Sequence, residues 1–214
     1  GWGSPCLAAM SPMKKPPADR GGLWRDGWYA HARRLPSPNV GERPAGATID
    51  LIVLHSISSP PAQYGGDQVQ RLFTNGLDWQ AHPYFRQIEG LQVSSHFYIR
   101  RGGELWQFAS CDARAWHAGT SHYRGRDNCN DDSVGIELEG LEGDRFEDAQ
   151  YETLAGLCAA IAQRYPIAHV AGHEHVAPGR KQDPGPGFAW QRLHDALAWP
   201  SHFFPESVHL RAGD

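Results

Sequence analysis

Residues 173–186, His-Glu-His-Val-Ala-Pro-Gly-Arg-Lys-Gln-Asp-Pro-Gly-Pro, crowd imidazole, ammonium and carboxylate groups into one short stretch. Its prolines and glycines predict a rigid loop rather than a regular helix or inner strand. Loops of this kind more often position ligands or catalytic groups than pack a core. His173 and Asp183 are candidate metal ligands, and Lys181 is a candidate partner for developing negative charge. His55 follows the apolar run Leu51-Ile52-Val53-Leu54. Two neutral imidazoles and one carboxylate are sound Zn²⁺ ligands and leave a fourth position for water. Such a centre acts as a Lewis acid and lowers the pKa of its water towards about 7. The residues alone do not select these ligands from the 12 histidines, and no HExxH pair is present. Histidines hydrogen-bonded at the rim of a core are the competing reading.

Glu137 interrupts the apolar neighbourhood of Val134-Gly135-Ile136-Glu137-Leu138-Glu139. Strand alternation puts Glu137 and Glu139 on one face. That face is either solvated or lines a cleft, and in a cleft Glu137 could serve as general base. Lys181 likewise reads either as part of the site or as an exposed loop cation.

The elements that must position these groups follow from periodicity and breakers. Strands are expected over 49–54, 133–138 and 167–171, with a hairpin of 95–100 and 104–108 around Arg101-Gly102-Gly103. The first of these strands is expected to deliver His55 at its end. Ala149, Leu154, Leu157, Cys158, Ile161 and Tyr165 recur near helical spacing, which predicts a helix over 147–165 stopped by Pro166. Cys158 lies on the apolar stripe of that helix and reads as core. Further helices are expected near 67–73, inside the long connection 58–90, and over 188–197. Residues 24–34 read as a short helix or an irregular arm. The pattern is an α/β fold with a mixed central β-sheet flanked by helices. We expect a flexible N-terminal extension at 1–20, one domain over 21–200 and a C-terminal tail at 201–214.

Composition narrows the function classes. A formal net charge of −4 argues against non-specific nucleic-acid binding, and no apolar run approaches the roughly 20 residues that span a bilayer. Cys6, Cys111, Cys129 and Cys158 form no CxxC pair, and reduced thiols need no special assumption. The N-terminus has no apolar stretch after Lys14-Lys15, so no secretory signal is expected.

Six segments carry a resemblance. They are Val53-Leu54-His55-Ser56-Ile57-Ser58, Ala81-His82-Pro83-Tyr84-Phe85, Ala115-Trp116-His117-Ala118-Gly119, Cys129-Asn130-Asp131, Ser133 to Gly140, and the 173–186 loop. In order and spacing they resemble the zinc-dependent N-acetylmuramoyl-L-alanine amidases, within the superfamily that includes peptidoglycan-recognition proteins. The resemblance runs from about residue 27 to 197. It implies one Zn²⁺ held by His55, His173 and Asp183, an acid/base at Glu137, a transition-state stabiliser at Lys181, and a substrate cleft lined by Trp116, His117 and Tyr84. His175 matches no ligand position, and His96 reads as structural. Ser56 stands where asparagine is usual after the first ligand, which puts one substrate hydrogen bond in doubt. Asn128 stands where a basic residue is common. The implied activity is hydrolysis of the muramoyl–L-alanine amide in an anhydro-muropeptide, by a cytoplasmic, monomeric recycling enzyme. The alternatives are a secreted or periplasmic amidase acting on intact murein and a non-catalytic peptidoglycan-binding module.

Overall fold

The computed structural model describes residues 22–211; the expected N-terminal extension, with Cys6, lies outside the described residues. A six-stranded sheet forms the centre. Its strands are β1 (Arg33–Arg34), β2 (Leu51–Ile57), β3 (Phe97–Ile99), β4 (Leu105–Gln107), β5 (Ser133–Glu139) and β6 (His169–Gly172). Their spatial order is β6-β2-β5-β3-β4-β1. β6, β2, β5 and β3 run parallel, whereas β3 and β4 form the antiparallel hairpin expected around Arg101 to Gly103. The mixed sheet flanked by helices is the expected fold class.

Both faces of β2 and β5 are buried, as inner parallel strands require. On one face Ile52, Leu54, Val134, Ile136 and Leu138 pack with Leu154, Leu157, Cys158 and Ile161 of helix α3 (Asp148–Arg164). The Glu147 N–H donates to Gln150 Oε1 at the start of α3. Gln150 also donates to the carbonyls of Ile99 and Glu139, fastening the helix to the sheet. The opposite face begins apolar, with Leu51 and Val53 against Ala118, Ala171 and Val176, and changes character toward the strand ends.

Helices α1 (Gln68–Phe73) and α2 (Pro83–Gln87) organise the long connection, and their Leu72, Phe73 and Phe85 join Tyr98 and Phe108 in a second cluster. Helix α2 is additional to the expected elements. Its signature is Pro83 in the first turn behind His82, whose Nδ1 accepts the Tyr84 N–H. A last helix, α5 (Trp190–Leu197), packs on α3 and is two residues shorter at its start than expected. Beyond it, where a tail is expected, Phe204 reaches the core and Val208 and Leu210 pack against it.

Three further local expectations are corrected. Residues 24–34 contain no helix: Trp24–Arg25 pairs antiparallel with Trp28–Tyr29 through Asp26 and Gly27, both at positive φ. Asp-Gly flanked by aromatic residues is a two-residue hairpin signal, and it decides the local structure here. Strand β2 runs on to Ile57, so His55 lies within the strand rather than at its end. Finally, the 173–186 loop opens with one helical turn, α4 (His173–Val176). Its breakers begin only at Pro178, which leaves the stretch before it free to coil.

Candidate metal centre and cleft

The parallel register places Glu137 of β5 directly beside His55 of β2. β6 pairs with the other edge of β2 and, ending at Gly172, delivers His173 at the start of α4. The chain returns after α4 so that Asp183 lies against both histidines, its carbonyl accepting the Glu174 N–H. One ligand-capable atom from each of His55, His173 and Asp183 falls within 4.8 Å of the others, and all three residues are buried. His55 Nδ1 lies 2.9 Å from His173 Nδ1 and 3.2 Å from Asp183 Oδ2. His173 Nδ1 is 3.2 Å from Asp183 Oδ1.

The outer contacts of the two imidazoles suit a metal site. His173 Nε2 lies 3.0 Å from the Ala118 carbonyl, which can only accept, so a ring that ligates through Nδ1 carries its single proton on Nε2. Its Nδ1 then presents a lone pair to the Asp183 carboxylate. Two acceptors face each other in a buried place, an arrangement that a cation between them satisfies. His55 fits the same pattern: burial lowers its pKa to about 4, which keeps the ring neutral. The buried trio could hold a metal ion, and its two imidazoles and carboxylate fit zinc chemistry.

Glu137 stands beside this trio. Its Oε1 is 3.8 Å from His55 Nδ1, and its buried Oε2 has no hydrogen-bond partner. Burial and the Asp183 charge push its pKa well above the carboxylate range, and the Lys181 ammonium opposes them. A cleft of about 380 Å³ opens over these groups. It is lined by His55, Glu137, His173 and Asp183 on its polar side, with Ser56, Tyr84, Trp116, His117 and the exposed Lys181 also at its wall. All the expected site residues therefore meet in one cleft. His117 has a second contact set behind that wall: its Nδ1 lies 2.8 Å from His55 Nε2 and its Nε2 lies 3.0 Å from Ser133 Oγ. Gly135 makes room for it, since a Cβ there would fall 2.6 Å from the His117 ring.

Two further histidines, His175 and His96, have separate explanations. His175 Nδ1 accepts the Gly172 N–H at 2.8 Å and so closes the turn of α4. His96 accepts the Gly135 N–H and lies 2.8 Å from the Ala113 carbonyl; burial, aided by Arg43, lowers its pKa to about 3. Asn128 takes a left-handed conformation ahead of the 129–131 turn, one that asparagine tolerates. Sequence reasoning missed the supports behind the ligands. The Ala118 carbonyl has no side-chain signature, and half-buried Arg43 donates to four backbone carbonyls from a segment that reads as loop.

Residues 45–186 match the N-acetylmuramoyl-L-alanine amidase family. The 1,6-anhydro-N-acetylmuramyl-L-alanine amidase AmpD of Citrobacter freundii is 49% identical over 181 residues, covering 84% of this chain and 96% of the relative. A crystal structure of an AmpD selenomethionine derivative superposes with a TM-score of 0.80 at 49% identity, covering 82% of this chain and 99% of the other. A complex of the Escherichia coli amidase AmiD with anhydro-N-acetylmuramic acid-L-Ala-D-γ-Glu-L-Lys superposes with a TM-score of 0.52 at 28% identity, covering 74% and 65%. The match over residues 45–186 and the likeness to the AmpD relatives across nearly their whole length agree with the buried histidine–histidine–aspartate trio beside Glu137: the chain belongs to the N-acetylmuramoyl-L-alanine amidase family.

Proposed function

We propose that this chain is a zinc amidase that cleaves the bond between 1,6-anhydro-N-acetylmuramic acid and L-alanine in soluble peptidoglycan fragments. The observation carrying this reading is the buried trio of His55, His173 and Asp183 with Glu137 in register beside it. Bound by that trio, zinc supplies Lewis acidity and a water of lowered pKa. Glu137 takes a proton from the attacking water through its free Oε2 and returns it to the alanine nitrogen as the carbon–nitrogen bond breaks. Lys181 balances the charge that builds on the carbonyl oxygen. Tyr84 and Trp116 offer aromatic surface to the substrate, and Ser56 offers a hydroxyl. The products are the stem peptide, with a new amino terminus, and the anhydro-muramoyl acid.

The choice of an anhydro-muropeptide over intact murein rests on likeness to the 1,6-anhydro amidases across most of their length. We place the reaction in the cytoplasm, carried out by a monomer, as a step in recycling wall fragments. Mass spectrometry of products from anhydro-muramoyl-tripeptide and from intact murein, with and without a chelator, tests the reading. We expect chelator-sensitive release of free L-alanyl peptide from the soluble fragment. Cleavage at another bond, or undiminished cleavage after complete metal removal, would overturn it.

A further inference from the structure

Asn130 lies on the 129–131 turn, far along the chain from each candidate ligand, and is buried. Its Oδ1 accepts two backbone hydrogen bonds, from the N–H of His117 at 3.1 Å and of Ala118 at 2.8 Å. These consecutive residues are the ones that hold the two histidine ligands from behind. The His117 ring meets His55 Nε2, and the Ala118 carbonyl meets His173 Nε2. If His55 Nδ1 is to offer a lone pair, Nε2 must carry the proton and donate it to His117 Nδ1. His117 Nε2 then donates to Ser133 Oγ, which fixes the tautomers along the line. On the other side, the Ala118 carbonyl fixes the tautomer and rotation of His173.

Resting on the metal reading of the site, we propose that Asn130 is the positioning residue for both histidine ligands, setting their outer hydrogen-bond partners through the one short segment it grips. Its own place is secured independently. Arg43 donates to the carbonyls of Asn130, Asp131 and Ser133, tying the turn to the start of β5. The side chain that orients the ligands is thereby anchored to the strand that carries Glu137. Asn130 touches neither the reacting atoms nor the trio; it acts through His117 and Ala118.

Zinc affinity of the full chain, measured by competition with a chromophoric chelator, tests the assignment, together with the visible spectrum of the cobalt-substituted protein. Asn130→Ala should bind zinc more weakly, by up to the roughly 10–100-fold that loss of an outer partner itself costs, with shifted cobalt bands. Asn130→Asp keeps an oxygen able to accept both N–H groups and should restore wild-type spectrum and affinity. If the alanine variant does not fold, Asn130→Ser, whose hydroxyl is shorter, should show a smaller loss in the same direction. Wild-type affinity and spectrum in the folded alanine or serine variant would overturn the role. A weakening that aspartate fails to rescue would also overturn it. Absence of zinc binding by the wild-type chain would instead remove the metal centre itself, and this role with it.

Discussion

Glu137 is a buried carboxylate with one oxygen 3.8 Å from His55 and the other without a partner. Leaving such a group unsatisfied is costly unless something in the working state claims it. Glu137→Gln keeps the volume and removes the base. We expect kcat to fall by about 10²–10⁴-fold, with zinc stoichiometry by elemental analysis unchanged. Retained turnover would exclude Glu137 from proton transfer. Lys181 is exposed at the rim of the same cleft, so its charge is available to a substrate oxygen. Lys181→Met should lower kcat by about 10²–10³-fold, the size seen when one stabilising donor is lost, and should leave KM nearly unchanged. A rise in KM alone would make Lys181 a ground-state binding group. Both residues are candidates from sequence alone, but only motif resemblance decides between these roles and a solvated strand face or an exposed loop cation. Burial of Glu137 depends on which sheet face the fold covers, and a strand read alone leaves that open.

At the scale of elements, the parallel strands bring the chemistry together because their C-terminal ends lie side by side. β2 contributes His55, β5 contributes Glu137 and β6 leads into His173, all near one end of the sheet. Glu139, two residues beyond Glu137, performs a separate task. Its carboxylate accepts the backbone N–H groups of Arg101 and Gly65 and pairs with Arg100. It thereby joins β5 to the β3–β4 hairpin and the connection before α1. Burial alone would raise its pKa, but the hydrogen bonds and the Arg100 charge hold it below the ordinary carboxylate value. A lowered folded-state pKa contributes stability above the unfolded value of about 4.3, and that stability is lost as pH falls through the folded value. Glu139→Gln should therefore destabilise the protein by about 2 kcal/mol at pH 7, as measured by urea unfolding. The gap should narrow as pH falls below about 4; a gap independent of pH would show that the charge contributes nothing. Most elements are legible in sequence: the long helix from its apolar stripe and Pro166, and β2 from the unbroken apolar run Leu51 to Leu54. The 24–34 hairpin and α2 were not recognised, since two-residue strands and a five-residue helix have too few positions to show a period. The Asp26-Gly27 and Pro83 signals were nonetheless present.

At the scale of the whole molecule, the centre is a cross-link between distant parts of the chain. His55, His173 and Asp183 sit on different elements, so an ion bound by all three fastens β2, the start of α4 and the following loop to one another. An ion that binds the folded form alone stabilises it by about 2.7 kcal/mol at a free concentration 100 times its Kd. For a chain of 214 residues, each kcal/mol moves Tm by about 2–4 °C, so zinc at that concentration should raise Tm by roughly 5–11 °C over the chelator-treated protein. The rise should grow with the logarithm of zinc concentration, since mass action rather than a fixed contact sets it. His55→Ala loses one ligand and should flatten that dependence, while Glu137→Gln, which keeps the trio, should retain it. Differential scanning calorimetry across a zinc series separates the two variants. Equal shifts in wild type and His55→Ala would mean that the ion binds elsewhere, and the trio would then return to the alternative of histidines hydrogen-bonded at the rim of a core.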